Sequence, residues 1–534
     1  MADQKIKVAA SGYGDAGASL TKRALKGYKA TSYSPREDID CHNQTLRQRA
    51  RTLRMSSPIA ASAIDTNKLN IIGVGLKLDC NINRKRLGLS SAEADAWEQH
   101  TEEEFNLWAQ DARSCDATGV NNFYALQALA LACQLDSGDV FGLFAQRPST
   151  HIRPYGTRIR LIEADRICTP TTAEIYGYPY ATVGKCESSG NWIYDGVEVA
   201  DTGDIVAYHI CDQYPSSYNT ELPKWTRVEA YGRFTELPNV VHVMGCERAG
   251  QYRGVPYLAP IIEQVLQLKR YSDAEVTAAV IQSFFTSFIT NPSVAGDFSL
   301  SEAVPDEEDE ASYASSDYEM GPGSIIELKP GQDVRFADPT RPSGRYTDFV
   351  GTVCEEIGAA LGLPCELLLK RFNASYSASR AALLEAGKMF ATRRKWFANT
   401  FCNPIYAVWL SEAVALGRIK APGFFTDPLR RAAWLGASWV GPSQGQIDPV
   451  KEINSELAAI NEGITTREQA TIRLNGGSWT ANMEQLAREE ALLRSIRKED
   501  KQIQSDFKPE NEEEEQDDEK GGEEDARSKT KTEQ

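Results

Sequence analysis

The sequence has few of the residues on which metal and nucleophilic chemistry usually depend. It contains five histidines in 534 residues, and they are far apart, with no HExxH motif. Its eleven cysteines form no CxxC pair, and an odd number at wide spacing is not typical of a disulfide framework or a zinc site. We therefore predict reduced, mostly buried cysteines, structural histidines, and neither a metal nor another cofactor. The histidines are His42, His100, His151, His209 and His242.

Long apolar runs and a phosphate-binding loop are also missing. No segment approaches the roughly 18 consecutive apolar residues that span a bilayer, and the first residues lack the apolar core of a secretory signal. We therefore expect a soluble protein that has no membrane partner and stays in the cell that makes it. A P-loop requires GxxxxGK followed by Ser or Thr, and neither Gly184-Lys185-Cys186 nor Gly387-Lys388-Met389 fits it. The sequence thus argues against a nucleotide-driven motor.

The composition is acidic, with a formal net charge of −17. Such a balance disfavours a protein that grips nucleic acid over a broad basic surface, although DNA could still slide past it. Two basic clusters are interpreted first as solvated helix faces or as partners of a neighbouring subunit's acids, and only second as phosphate contacts. Lys370 and Arg371, with Arg380, differ because they flank a polar loop between helices. The two clusters are Arg47, Arg49, Arg51 and Arg54, and Arg393-Arg394-Lys395.

Hydrophobic periodicity predicts an α+β protein that begins with a flexible arm over residues 1–40. Residues 41–255 are expected to form a mixed α/β domain, with helices at 92–111 and 123–135. Short apolar or alternating runs separated by Gly, Pro, Asp and Asn then predict a compact antiparallel body. These runs lie at 140–145, 158–162, 197–199, 205–210 and 240–244.

The second half is predicted to be mainly helical. A helix at 256–288 and another at 344–363 bracket a loop-rich, acidic segment at 289–343. Further helices are expected at 379–402 and 405–416, with a break near Pro404, and within 447–500. There, Asp448 is a plausible N-cap, and Thr465-x-x-Glu468 fits a capping box. The acidic composition of 501–534 predicts a disordered tail.

One motif is compatible with an enzyme. Gly12-Tyr13-Gly14-Asp15-Ala16-Gly17 matches the dinucleotide-binding pattern GxGxxG. In such a unit a second strand follows the helix and carries an acidic ribose-binding residue, whereas here the following TSYSPREDID is turn-like. A flexible arm is the preferred interpretation. The alternative, an NAD(P)-dependent oxidoreductase, predicts cofactor binding that is lost when Gly12 and Gly14 become Ala.

Several sequence blocks, in a fixed order, resemble the lambda family of bacteriophage portal proteins. The most informative lie between Glu327 and Gly417: ELKPGQDVRFADPTRP, the GLP at 362–364, NASYSASRAALLEAGKMF and PIYAVWLSEAVALG. The others are GVGLKLD near residue 75, CDATGVNNFYALQALALACQLDSGDVF, RIRLIEADRICTP, RAGQYRGVPYLAPIIEQVLQLKRYSDAE and WVGPSQGQIDPVKEINSELAAINEGITT. Together the blocks cover about residues 18–495.

The resemblance implies a non-enzymatic ring of about twelve subunits at one capsid vertex, the conduit for genome packaging and ejection. Residues 41–255 and part of 364–446 would form its wing, 256–288 and 344–363 a two-helix stem, 289–343 a clip, and 447–500 a helical crown. The implied partners are double-stranded DNA, the terminase large subunit, scaffold and major capsid proteins, and a head–tail connector. The implied location is the virion, and the host cytoplasm during assembly.

The resemblance also implies a channel loop that faces DNA. Its residues would be Lys370, Arg371, Asn373, Ser375, Tyr376, Ser377 and Arg380. On the second stem helix, Asp348, Thr352, Glu355 and Glu356 share a polar face. Facing the channel, these acids would repel the phosphate backbone, and facing sideways they would meet a neighbouring stem helix; both orientations remain open. A third possibility, a scaffold or shell protein without a channel, predicts large shells or heterogeneous oligomers instead of one closed ring.

Overall fold

A computed structural model of the chain contains two compact units, Met1–Pro442 and Ser443–Gln534. The structure describes residues 13, 17–28, 30–171, 174–175, 182–215, 217, 221–283, 287–290, 333–336, 346–372, 375–443 and 449–506. Several sequence predictions therefore lie outside the described residues. They concern Gly12 and Gly14 of the glycine motif, most of the segment 289–343, Asn373, the N-cap Asp448, and the tail beyond Asp506.

Twelve described helices belong to the first unit and three to the second. They are α1 (Cys41–Ser56), α2 (Pro58–Ile71), α3 (Arg84–Leu87), α4 (Ser91–Gln110), α5 (Ala112–Cys115), α6 (Phe123–Ser137), α7 (Ile262–Ser283), α8 (Tyr346–Leu361), α9 (Cys365–Leu369), α10 (Tyr376–Phe397), α11 (Asn403–Ala415), α12 (Pro428–Trp434), and then α13 (Pro449–Asn461), α14 (Arg467–Asn475) and α15 (Trp479–Asp506). Among these described helices, none is long and apolar enough to cross a bilayer.

The described strands pair only in antiparallel fashion, as the short alternating runs predict. They are β1 (Lys77–Cys80), β2 (Asp139–Gln146), β3 (Thr157–Glu163), β4 (Glu174–Ile175), β5 (Val183–Lys185), β6 (Trp192–Tyr194), β7 (Val197–Val199), β8 (Ile205–Cys211), β9 (Trp225–Glu229), β10 (Val240–Met244), β11 (Ser287–Thr290), β12 (Asp333–Phe336) and β13 (Ala437–Val440). Strands β4 to β9 form a six-stranded sheet in chain order, and β2 lies between β10 and β3. The predicted α+β class is confirmed.

The core of the first unit combines segments from both sides of the α7–α8 region. The ring of Phe105 in α4 lies 5.0 Å from that of Trp409 in α11, and Phe123 in α6 stacks on Phe401 at 6.2 Å. Strand β1 also pairs with β13, with Lys77 opposite Val440. Because residues before α7 and residues after α8 pack in the same core, the α7–α8 region is attached to that core at both of its ends.

A buried ionic cluster, Asp40, Arg47, Asp139, Asp195 and Arg253, fixes the chain just before α7. The Arg253 guanidinium is fully buried and lies 2.7 Å from both Asp139 Oδ2 and Asp195 Oδ2. It also donates to two backbone carbonyl groups at 2.9 Å. Arg47 of α1 lies 3.3 Å from Asp195 and 3.7 Å from Asp139. These contacts join α1, β2 and the β6–β7 turn to the chain that enters α7.

The next residue, Gly254, allows a backbone contact that no side chain would permit. A Cβ atom at Gly254 would overlap the carbonyl group of Gly138. Gly138 itself has φ +89°, in the region that favours glycine. The peptide backbones before β2 and before α7 can therefore pack directly against each other.

Several helix boundaries differ from the sequence predictions. The helix expected at 256–288 begins with the 3-10 turn Ala259–Ile261, and α7 ends at Ser283, so Phe288 lies in β11. The break expected near Pro404 is wrong, because a π-turn at Ala398–Cys402 connects α10 to α11 and Pro404 falls in the first turn of α11. Helix α15 continues to Asp506, past the expected start of the tail at 501.

The predicted capping box is displaced by one residue. Thr466, and not Thr465, is the N-cap of α14, and its hydroxyl oxygen accepts from the Gln469 backbone N–H at 3.2 Å. Glu468 instead accepts from the Trp479 backbone N–H at 2.9 Å. Two adjacent threonines, each followed three residues later by Glu or Gln, fit the pattern equally well, so sequence could not choose between them.

Replacing Arg253 tests the importance of the buried cluster. We expect Arg253→Met to lower the free energy of unfolding by about 3–5 kcal/mol, because Asp139 loses its bidentate partner while fully buried. Arg248→Met is a matched control, since the Arg248–Asp38 pair is exposed and should contribute only about 0–1 kcal/mol. Urea unfolding followed by tryptophan fluorescence measures both. Equal losses in the two variants would contradict the account.

Asp40 should make the stability of this cluster depend on pH. Burial and the nearby Asp195 raise the pKa of Asp40 to about 7, against the opposing effects of Arg253 and Arg47. An unfolded aspartate titrates near 3.9, so folding favours the protonated form and stability falls as pH rises from about 4 to about 7. Asp40→Asn removes this loss. We expect its urea midpoint to exceed the wild-type value more at pH 8 than at pH 5, whereas a pH-independent difference would contradict the assignment.

Candidate channel loop and ring interface

Helices α7 and α8 form an antiparallel hairpin. Tyr257, just before α7, donates its hydroxyl to the carbonyl of Leu361 at the end of α8 at 2.5 Å. Further along α7, the ring of Tyr271 lies 5.7 Å from that of Tyr346 and 4.8 Å from that of Phe349, both near the start of α8. Beyond the helices, β11 pairs with β12. The two predicted stem helices are therefore side by side and lead into a short ribbon.

Arg393 and Arg394 fasten the base of this hairpin to α2. The Arg393 guanidinium lies 4.5 Å above the Tyr257 ring and donates to Asn67 Oδ1 at 2.6 Å. Arg394 donates to the carbonyls of Asn70 and Ile71 at 2.7 and 3.0 Å, where the end of α2 leaves carbonyl groups without helical partners. The expectation of a solvated face or of intersubunit pairing is therefore wrong for both arginines. Lys395, the third member of the run, is exposed.

The cluster on α1 requires the same correction. Arg47 belongs to the buried cluster, and the last two arginines of α1 pair with acids of their own chain. These pairs are Arg51 with Asp165 and Arg54 with Asp136. Only Arg49 is exposed and makes no ion pair with any residue that the structure describes.

The predicted channel loop begins where α9 ends. Lys370 has φ +54° in the left-handed region, and its backbone N–H and that of Arg371 both donate to the Glu366 carbonyl. Ser62 donates its hydroxyl to the Leu368 carbonyl at 2.8 Å and so anchors α9 to α2. Lys370 and Arg371 are exposed, which places two cations at the end of a fixed helix.

The other side of the loop is the start of α10. Ser375 is its N-cap and accepts from the Ala378 backbone N–H at 3.4 Å, and its hydroxyl lies 3.3 Å from that of Ser377. Both serines are exposed and Arg380 is half-buried. Asn373 and the side chain of Tyr376 lie outside the described residues. The structure thus brings five of the seven predicted loop residues together around one helix-to-helix connection.

The polar face of α8 is fully accessible in a single chain. Asp348, Thr352, Glu355 and Glu356 are all exposed, while the buried positions of the helix lie on its other side. None of the three acids forms an ion pair with a described residue. These residues are named the acidic face below.

Sequence reasoning missed a groove of about 650 Å³ between α1 and the first half of α7. Apolar residues line part of it, and Arg49 and Arg270 add positive charge. The full lining is Leu46, Arg49, Ala259, Pro260, Ile262, Glu263, Gln264, Leu266, Gln267 and Arg270, and it is named the basic groove below. Its two walls come from helices far apart in the chain, so no local sequence pattern indicates it.

One group of side chains has the donor types of a metal site. Donor atoms of Cys186, Glu198 and His209 lie within 4.8 Å of one another, and all three residues are buried. Arg227, however, donates to both oxygens of Glu198 at 2.7 and 3.0 Å, and Ser189 donates at 2.6 Å. Although burial raises it, these hydrogen bonds lower the pKa of Glu198 to about 2. The carboxylate is satisfied by an arginine that would repel a cation, so the group fits a structural network better than a metal centre.

The histidines only partly follow the sequence interpretation. The side chains of His209 and His242 are buried beside Glu198 and Asp139, and this burial lowers the pKa of both imidazoles. His100 is exposed, with Nε2 3.2 Å from the Arg418 carbonyl. His42 and His151 are exposed as well. A structural role is supported for the two buried histidines.

Comparison with known proteins gives the family. The family model described as "Phage portal protein, lambda family" matches residues 21–394, which include α7, α8 and the whole loop between α9 and α10. The chain therefore belongs to the lambda family of phage portal proteins, and the resemblance inferred from the sequence blocks is confirmed. The match begins after the glycine motif at 12–17.

Two portal proteins are similar in sequence to this chain along most of their lengths. The chain is 24% identical over 443 residues to "Portal protein B" of Escherichia phage lambda, with 79% of each chain covered. It is 22% identical over 462 residues to "Portal protein" of Escherichia phage N15, covering 83% of this chain and 84% of the relative.

The solved structures are more distant. "Neck of native GTA particle computed with C12 symmetry" has a TM-score of 0.40 and 12% identity, covering 81% of this chain and 93% of that one. "Virion of native gene transfer agent (GTA) particle" has a TM-score of 0.41 and 13% identity, with the same coverages.

Proposed function

We propose that the chain assembles into a closed ring of about twelve subunits at one capsid vertex, through which the genome enters and leaves. The observation that carries this proposal is the family match across 21–394, because it spans the α7–α8 hairpin, the adjoining loop and most of the domain that holds them. Physical constraints agree. An interface between two different surfaces closes into a ring when successive rotations sum to a full turn, and a ring places one copy of every loop around a common axis.

Lys370 and Arg371 are the proposed DNA contacts of the channel. They are exposed on a helix end that Ser62 anchors, so their position is defined while their side chains are free to reach phosphates. Each phosphate that a protein neutralises adds salt-dependent affinity through counterion release. Few cations per subunit, on a chain of net charge −17, give weak repeated contacts that allow DNA to move. The rest of the channel loop would be Asn373, Ser375, Tyr376, Ser377 and Arg380.

The remaining assignments follow the layout of the family resemblance. Residues 41–255 and part of 364–446 would form the wing, α7 and α8 the stem, 289–343 a clip, and 447–500 the crown, with 1–40 an arm and 501–534 a tail. The clip would dock the terminase large subunit during packaging and the head–tail connector afterwards. Scaffold and major capsid protein would contact the ring in the host cytoplasm, where the procapsid assembles before the ring becomes part of the virion.

Neither competing function has comparable support. The portal family is structural, and its match excludes the GxGxxG residues, so the oxidoreductase interpretation rests on an isolated six-residue motif. A shell protein without a channel would not require two cations at the end of an anchored helix. We therefore propose a structural conduit that acts without catalysis of its own.

The variant Lys370→Ala with Arg371→Ala tests the channel loop. We expect its rings to match wild type in native mass spectrometry, while packaged DNA per particle falls by about tenfold, because every subunit loses two phosphate contacts at once. Lys85→Ala with Arg86→Ala is the matched control, since both residues are exposed cations on α3. Packaging at the wild-type level would remove Lys370 and Arg371 from the channel role. Loss of rings would show a structural role instead.

A further inference from the structure

We propose that the acidic face of α8 in one subunit docks onto the basic groove of the next subunit. This inference rests on the proposed ring and names the surfaces that close it. The partner is a second copy of this chain, because the chain itself carries both a negatively charged surface and a positively charged groove that complement each other. Of the two orientations that the sequence leaves open for Glu355 and Glu356, the structure assigns the sideways one.

The basic groove has the composition of a docking surface. Leu266 is 42% exposed in it, beside Ala259 and Pro260, which gives the groove an apolar floor. Arg49 and Arg270 are exposed, and neither forms an ion pair with a described residue. Glu263 also lines the groove, and it accepts a hydrogen bond from Gln267 at 2.9 Å. The groove therefore keeps a net positive charge and two arginines with unused hydrogen-bonding capacity.

The acidic face complements this surface in charge and in size. Asp348, Glu355 and Glu356 are three exposed carboxylates without an ion-pair partner in the described chain. Thr352 lies between Asp348 and the two glutamates, and Ala359 lies about one turn beyond them; both are on the exposed side of α8 and are small enough for close helix approach. Arginine binds carboxylate in a planar, two-pronged geometry, which makes Arg49 and Arg270 suitable partners for these groups.

The two surfaces share no residue, since the groove belongs to α1 and the beginning of α7 and the acidic face belongs to α8. Helix α7 uses Tyr271 and Ser272 to contact α8, whereas its groove residues border α1. The acidic face of α8 is likewise turned away from Ile357 and the other buried residues of that helix. Contact between one of these surfaces and the different surface of the next copy is a head-to-tail interface, which closes into a ring when successive rotations sum to a full turn.

The two surfaces also lie at the same level along the hairpin. The groove lies beside the beginning of α7, which is adjacent to the end of α8 through the Tyr257–Leu361 hydrogen bond. Glu355 and Glu356 belong to that final part of α8. Rotation about a ring axis moves a residue around the axis without changing its height. In a ring whose hairpins follow the channel, Glu355 and Glu356 therefore lie at the height of the neighbouring groove.

The ion pairs mainly determine which surfaces meet. An exposed ion pair contributes little binding free energy, so the apolar floor must supply much of the affinity. By contrast, an interface that brings like charges together is strongly disfavoured, so surfaces of equal charge do not pair. Reversing the charge on one surface should thus prevent assembly, and reversing the other as well should restore it.

Two charge-reversed variants test the interface. The groove variant carries Arg49→Glu and Arg270→Glu, and the helix variant carries Glu355→Lys and Glu356→Lys. Each alone places like charges across every interface, so we expect at least a tenfold loss of rings in native mass spectrometry. When the two variants are mixed in equal amounts, every contact joins opposite charges only if the variants alternate around the ring. We expect the mixture to recover rings with an even subunit number and equal content of the two variants.

Controls make each result decisive. A chain that carries all four substitutions should form rings by itself, because every groove again meets an oppositely charged face. Lys85→Glu with Arg86→Glu makes the same change of charge as the groove variant at an exposed site on α3 and should assemble as wild type does. If both reversed variants form wild-type rings but package DNA abnormally, the acidic face lines the channel and the inference is wrong. If neither the mixture nor the four-substitution chain recovers rings, it is also wrong. Absence of rings in wild type would instead contradict the proposed function.

Discussion

The bidentate contact between Arg253 and Asp139 is the constraint on which the arrangement of the first unit depends. A buried guanidinium must be fully hydrogen-bonded, and here that requirement brings α1, β2, the β6–β7 turn and the entry to α7 into one cluster. Gly138 and Gly254 then allow the two backbones to touch. The entry to α7 is fixed through this cluster, and Tyr257, Arg393 and Arg394 fix the adjoining base of the hairpin, where α8 ends, against α2.

This anchoring explains how exposed polar groups can serve a defined function. The acidic face of α8, the basic groove and the pair Lys370–Arg371 are all accessible in one chain. Each of them nevertheless lies on a helix, or at the end of a helix, that also packs against the buried part of the first unit. A ring amplifies small contributions, since every subunit repeats the same interface and the same loop. Exposed charges that interact weakly one by one can then act together, because the ring repeats them at fixed positions. Such a function does not require a buried binding pocket.

Much of the fold could be predicted from the sequence. Periodicity located α4, α6 and α8, and short alternating runs located β7 and β10, because half-buried elements impose regular apolar spacing. Partners distant in sequence could not be predicted. Arg54 and Asp136 are 82 residues apart, and no local pattern distinguishes an arginine with such a partner from one on a solvated face. For the same reason the basic groove could not be predicted, since its walls come from distant parts of the chain. The family, by contrast, was predicted from the ordered blocks of sequence resemblance and not from physical chemistry alone.

The most direct test of the account is the assembly state of the purified wild-type protein. Native mass spectrometry combined with class-averaged electron images, over a wide range of protein concentration, measures subunit number and shape together. The account predicts one discrete species of about twelve subunits with an axial hole. A monomer or dimer at every concentration, or open and heterogeneous oligomers without a hole, would contradict it.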